Sequence, residues 1–152
     1  AKINRVVDGD TVDCDIELGF GVVLADERVR IMGIDTPESR TSDRVEKLFG
    51  KAAKYKLQEL LGETCILKTQ IAKNGEDMKG KFGRILGDFI AEDGRLITDI
   101  MAETGHCVPY FGGSKEDTQA AHEVNRVRLL AEGVVDQVEY DKMVIAEANE
   151  KK

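Results

Sequence analysis

The sequence predicts an α+β fold, a five-stranded β-barrel carrying three helices, and three observations predict it. An alternating, β-branched stretch runs from Ile3 to Ile34, one long segment of helical periodicity follows, and two further strand-like runs come after that segment. With 152 residues, 41% of them hydrophobic, the chain has the size of one domain and enough apolar side chain to bury a core.

The segments VVDGDTVDCDI, GVVL and RVRIMGI read as a three-stranded meander, with Gly19, Gly21 and then Asp26 as turn points. Pro37 and the polar run ESRTSD break it, and Ser42 or Asp43 then caps a helix. Val45, Leu48, Phe49, Ala52, Ala53, Leu57, Leu60 and Leu61 recur at helical spacing up to the stop at Gly62. TCILKTQIA reads as a strand, KNGEDMKGKFG as a glycine-containing loop, and RILGDFIAE as a second strand before the Asp93-Gly94 turn. A short helix from Leu96 to Glu103 ends at Gly105, a loop runs through VPYFGGSKED, and AAHEVNRVRLLAEG fits a third helix. Five strands with one long helix between the third and fourth match an OB-fold β-barrel. The organisation expected is one OB-fold domain over residues 1–131, with residues 132–152 an acidic helix or tail packed on it or trailing from it.

No run of about 18 apolar residues is present, and AKINRVVDGD has neither the apolar stretch nor the cleavage site of a signal peptide. The expectation is a soluble monomer without a membrane partner, its compartment open between the cytoplasm and a processed secreted form. Cys14, Cys65 and Cys107 cannot all pair and show no CxxC spacing, so they read as small buried apolar residues. His106 and His122 are isolated and read as structural or surface residues, although His106 lies near the candidate pocket.

A formal charge of −7 argues at first sight against a polyanionic partner, but its distribution is uneven. Residues 43–84 hold ten Lys or Arg against six Asp or Glu, a local +4 that leaves −11 for the rest. Such a stretch is either a solvated helix surface or a basic face for a polyanion.

Carboxylates gather where strands end: Asp8 and Asp10 in VDGDT, Asp35 and Glu38 in IDTPE. Brought together, they repel unless protons or a cation neutralise them, and oxygen-only ligands suit hard ions such as calcium or magnesium. Arg30 and Arg84 suit a phosphate, because the guanidinium fork donates paired hydrogen bonds and keeps its charge. Arg30 reaches the same barrel end as Asp35 only if its strand bends or bulges. The competing reading makes the four acids turn residues and the two arginines their ion-pair partners.

VVDGDT, VRIMGIDTPE and KFGR, in that order, resemble the three signature blocks of staphylococcal nuclease-like domains, over roughly residues 3–131. The resemblance implies a Ca²⁺-dependent nuclease that hydrolyses phosphodiester bonds of DNA and RNA with little sequence specificity and leaves 3′-phosphate ends. It implies Asp10, Asp35 and the Thr36 main-chain carbonyl as calcium ligands, Glu38 as general base through water, and Arg30 and Arg84 on the scissile phosphate. Lys81 matches a lysine near a neighbouring phosphate, and Tyr110 an aromatic lining the nucleotide pocket. Phe82 stands where the family commonly has tyrosine, which keeps stacking and loses a hydroxyl. The long first hairpin also departs from the family, as does the acidic surface, which favours single-stranded or frayed substrates over long duplexes. The alternative is a non-catalytic OB-fold module that binds single-stranded nucleic acid.

Overall fold

A computed structural model of the chain describes residues 1–69, 85–110 and 114–150. Strands β1 (Lys2–Asp8), β2 (Thr11–Gly19) and β3 (Val22–Ile31) are followed by a two-residue strand β4 (Ile34–Asp35) and helix α1 (Arg44–Leu61). Then come β5 (Ile66–Thr69), β6 (Ile85–Ile90), α2 (Ile97–Glu103), β7 (Val108–Pro109), α3 (Lys115–Ala131) and α4 (Gln137–Glu150). The main sheet has the order β1-β2-β3-β6-β5, with β3 and β6 parallel and the other neighbours antiparallel. Its two edges meet at one end: Lys2 pairs with Thr64, the Ile3 amide donates to the Glu63 carbonyl at 2.8 Å, and the Cys65 amide donates to Ala1 at 2.9 Å. This is the OB-fold arrangement, with the long helix between the third and fourth strands of the sheet.

The meander divides differently from the sequence expectation. Its first turn is at Gly9 and Asp10, where Asp8 and Thr11 pair and the Asp8 carboxylate accepts from the Gly9 amide. Asp26 is no turn. It lies within β3 at φ 50°, its amide donates to the Asp15 carboxylate at 2.8 Å, and the β2–β3 register slips there. A left-handed residue that absorbs one extra position in a ladder is a bulge, and aspartate tolerates that conformation better than most residues.

Alternation places the core. Ile85, Gly87 and Phe89 of β6 and Val29 and Ile31 of β3 face inward, and α1 lays Ala53, Leu57 and Leu61 over them. Each such aliphatic or aromatic side chain stabilises the fold by roughly 1.5–3 kcal/mol when fully buried. Cys14 and Cys107 belong to this core, where burial pushes their thiols up to about 11 and about 12. All three cysteines are free, Cys65 being half-buried.

Asp43 caps α1 by accepting from the Glu46 amide, and Gly62 at φ 61° ends the helix. The third expected helix starts earlier than its apolar pattern suggested, because Ser114 accepts from the Asp117 amide and draws Lys115, Glu116 and Asp117 into α3. A fourth helix, α4, occupies most of the segment expected to be helix or tail. Its Tyr140 and Met143 pack with Val45, Phe49, Leu129 and Val135 in a second cluster, and the Glu147 carboxylate accepts from the Arg44 amide at 2.6 Å. Among the described residues no helix is long and apolar enough to cross a membrane.

His106 is 5% exposed, and its buried Nδ1 has no hydrogen-bond partner among the described residues. Burial, followed by the nearby Lys56 charge, pushes the imidazole down to about 4 from an ordinary value of 6.5; Glu132 and Glu59 oppose this weakly. The folded state therefore refuses a proton that the unfolded chain accepts. Stability should hold above pH 6.5 and fall by about 1.4 kcal/mol per pH unit as pH drops toward 4. Urea midpoints measured across this range should show that limb, and His106→Phe should flatten it; an unchanged slope in the variant would contradict the assignment.

Candidate active site

Two turns that carry acidic residues are seated on one bare face of α1. A Cβ at Gly50 would lie 2.2 Å from the Glu38 carbonyl oxygen and 2.6 Å from the Ser39 amide nitrogen, so helix backbone and loop backbone touch with no side chain between them. One turn further along the helix, Ala53 meets the first hairpin: a Cβ at Gly9 would fall 2.9 Å from the Ala53 Cβ and 3.2 Å from the Thr36 side chain. Asp8 ties the two turns together, its Oδ1 accepting from the Gly9 amide at 2.9 Å and from the Ser39 amide at 3.2 Å. VDGDT and IDTPE are thereby neighbours in space.

Asp10 stands in the first turn with little of its side chain exposed. Its Oδ1 accepts from the Thr11 hydroxyl at 2.9 Å, its Oδ2 lies 3.0 Å from the Arg30 guanidinium, and its carbonyl accepts from the Ile31 amide at 2.8 Å. Burial raises its pKa, and Arg30 and the hydroxyls of Thr11 and Thr36 only partly offset this. The Thr36 side chain also packs on Gly9. Arg30 is opposite Thr11 in the β2–β3 ladder, and also donates to the Ile31 carbonyl at 2.7 Å. The chain reverses after Arg30 through a tight turn at Met32 and Gly33, the latter at φ 79°, rather than through a bulge. Asp35 follows that turn on β4.

Asp35 is held by the β4–β7 ladder opposite Val108. Its carboxylate is 43% exposed, and its Oδ2 lies 2.7 Å from Nε2 of the almost buried His122. Sequence reasoning assigned His122 a structural or surface place, and no local signal joins it to a residue 87 positions away. Glu38 is exposed, and among the described residues its carboxylate has no hydrogen bond or ion pair.

A cleft of about 790 Å³ is bordered by Arg30, Gly33, Lys68, Thr98 and Tyr110, while Asp10, Asp35, Thr36 and Glu38 are not among the residues that line it. Tyr110 is half-exposed there, its amide donating to the Gly33 carbonyl at 2.9 Å. The Asp88 carboxylate also borders the cleft; burial raises its pKa although Thr98 donates to it at 2.6 Å. A second cleft of about 800 Å³, around Ala1, Glu63 and Ile100, holds none of the expected site residues. Size does not separate the two clefts; the chemistry of their walls does. Lys81, Phe82 and Arg84 lie outside the described residues.

The donors that Asp10, Asp35 and Thr36 would offer a cation are oxygens: two carboxylates and a main-chain carbonyl. Among the described residues no three His, Cys, Asp or Glu side chains are close enough to hold an ion by themselves. Two carboxylates and a carbonyl, completed by water, fit a hard divalent ion that keeps part of its hydration shell. They do not fit a soft metal.

The staphylococcal nuclease homologue family model matches residues 28–133, a span that includes Arg30, Asp35, Glu38 and Arg84 and begins after the Asp10 turn. "Endonuclease YhcR" of Bacillus subtilis (strain 168) is 28% identical over 114 residues, covering 72% of this chain and 9% of the relative. "Thermonuclease" of Staphylococcus intermedius is 33% identical over 85 residues, covering 55% of this chain and 44% of the relative. The chain thus spans less than half the length of each of these curated relatives.

The raised pKa of Asp10 has a thermodynamic consequence. A carboxyl whose folded value exceeds its unfolded value of 3.8 stabilises the fold fully below that value, and the contribution is lost as pH rises through the folded one. At neutral pH the ionised Asp10 therefore costs stability. Asp10→Asn in chelator should melt above wild type at pH 7, the gap closing as pH falls through the raised pKa. A lower melting temperature at pH 7 would show that the Arg30 ion pair outweighs burial.

Proposed function

Because the chain belongs to the staphylococcal nuclease homologue family, we propose that it hydrolyses phosphodiester bonds of DNA and RNA with calcium bound by Asp10, Asp35 and the Thr36 carbonyl. The observation that carries this reading is the pairing of Arg30, which borders a cleft, with Asp10 at 3.0 Å. A fixed cation donor beside a carboxylate group is what a phosphate and a divalent ion need when they bind side by side.

When bound, calcium supplies Lewis-acid chemistry at the phosphoryl group. The remaining work belongs to the side chains. Attack on phosphorus builds negative charge on the equatorial oxygens, and a guanidinium held by the Ile31 carbonyl meets that charge without reorganising. Interactions that strengthen as charge develops lower the barrier, whereas those equally strong in the bound substrate lower only KM. Arg84 is the second guanidinium in this reading. Glu38, exposed and unpaired among the described residues, takes the proton from an attacking water. The bond broken is that to the 5′ oxygen, which leaves 3′-phosphate ends.

Tyr110 offers a stacking face for a base, with Phe82 a second one and Lys81 a contact for a neighbouring phosphate. Lys47, Lys51 and Lys54 recur at helical spacing along α1, and the first two are exposed, which gives a basic strip beside an otherwise acidic surface. A strip of that extent favours a short single strand or frayed end over a long duplex, whose phosphates would also meet the acidic faces.

A fluorogenic oligonucleotide should be cleaved with Ca²⁺ and left intact with chelator. Arg30→Ala and Glu38→Ala should each lower turnover by about 10²–10³-fold with circular dichroism unchanged. A mobility shift without cleavage would replace the nuclease reading by the non-catalytic binding module.

A further inference from the structure

We propose that His122 is a positioning residue, which fixes the Asp35 carboxylate so that one oxygen is anchored and the other is presented to the divalent ion. The inference rests on the calcium reading of Asp35 given above. Its own support is geometric. A carboxylate only accepts hydrogen bonds, so at 2.7 Å the His122 Nε2 carries the proton and donates it to Oδ2. Among the described residues Asp35 has no other side-chain hydrogen bond.

Three features make His122 a fixed donor. Its side chain is only 9% exposed, so few rotamers are open to it. Three residues on, and on the same face of α3, the Asn125 amide donates to the Cys107 carbonyl at 3.3 Å. A turn further, Leu129 is buried in the second cluster, close to Gly105 at φ 81°. The anchor of α3 at Cys107 adjoins Val108, which is the ladder partner of Asp35. Helix and carboxylate thus share one foundation, and the donor cannot drift away from the acceptor.

Asp35 needs such a partner. It ends a two-residue strand and its side chain is partly in solvent, so without His122 it would sample several rotamers and lose that freedom on binding an ion. Asp10 has no such need, since Thr11, Thr36 and Arg30 already surround it. The hydrogen bond also selects which oxygen faces the ion. Partners of this kind, one step removed from a metal, are worth about 10–100-fold in metal affinity.

The test is a Ca²⁺ titration of the full chain without nucleic acid, followed by amide chemical shifts, which report both the affinity and the integrity of the fold. Three proteins are compared: wild type, His122→Leu, which keeps bulk and loses the donor, and His122→Gln, which keeps a donor. Wild type should show saturable shifts at Asp10, Asp35 and Thr36. His122→Leu should bind about 10–100-fold more weakly, and His122→Gln should recover most of that loss. Equal affinity of the Leu and Gln variants would overturn the positioning role while leaving the calcium site in place. No saturable shift in wild type would overturn the calcium reading and the positioning role with it.

Discussion

At Gly50 the backbone of α1 lies against the Glu38–Ser39 peptide with no room for a side chain, and the rest of the site depends on that contact. A helix normally meets a neighbour through side chains, at an axial separation of about 8–10 Å. Here a glycine and, one turn on, an alanine remove that spacer and let two loops rest on the helix itself. Asp8 then locks the loops to each other through the Gly9 and Ser39 amides. Asp10, Thr36 and Glu38 are carried on those two loops, so their relative placement follows from one helix face. Asp35 is the remaining acid, and it is set from the other side by β7 and α3.

Stability is sacrificed locally for this arrangement. Asp10 would be easier to ionise in water than where it stands, and among the described residues Arg30 and two hydroxyls only partly offset its burial. A fold optimised for stability alone would not keep an under-compensated carboxylate. The cost is carried by the core of the sheet and by the cluster that α1 forms with α3 and α4, where Tyr140 meets Phe49 edge-on at 6.1 Å and Arg126 lies 5.4 Å above the same ring. The long helix therefore serves two faces at once: one fastened to the C-terminal helices, the other left bare for the loops.

Much of this was legible in the sequence, and the limits have physical reasons. The five strands of the sheet and the long helix carry strong periodicity, and α1 begins and ends at the residues its cap and its glycine specify. Turn positions were harder. Asp26 and Gly9 are both plausible turn residues, and which of them reverses the chain is decided by the register of β1 on β2 and β2 on β3. The β4–β7 pair is two residues long and has no periodicity to detect. VDGDT and IDTPE identified the acids, but their seating on Gly50 and Ala53 requires knowing which helix face meets which loop. The contact from His122 to Asp35 joins two segments whose local patterns say nothing of each other.

The most direct measurement of the central claim is the thermal unfolding of Gly50→Ala. Helix propensity alone favours alanine by about 1 kcal/mol, so a free helix surface at this position would raise the melting temperature. Backbone contact with Glu38 and Ser39 requires the opposite, because a methyl 2.2 Å from a backbone oxygen must push the loop away at a cost that exceeds this gain. A lower melting temperature is the predicted result. A melting temperature equal to or above that of wild type would contradict the account, since the loops would then not be seated on the bare face of α1.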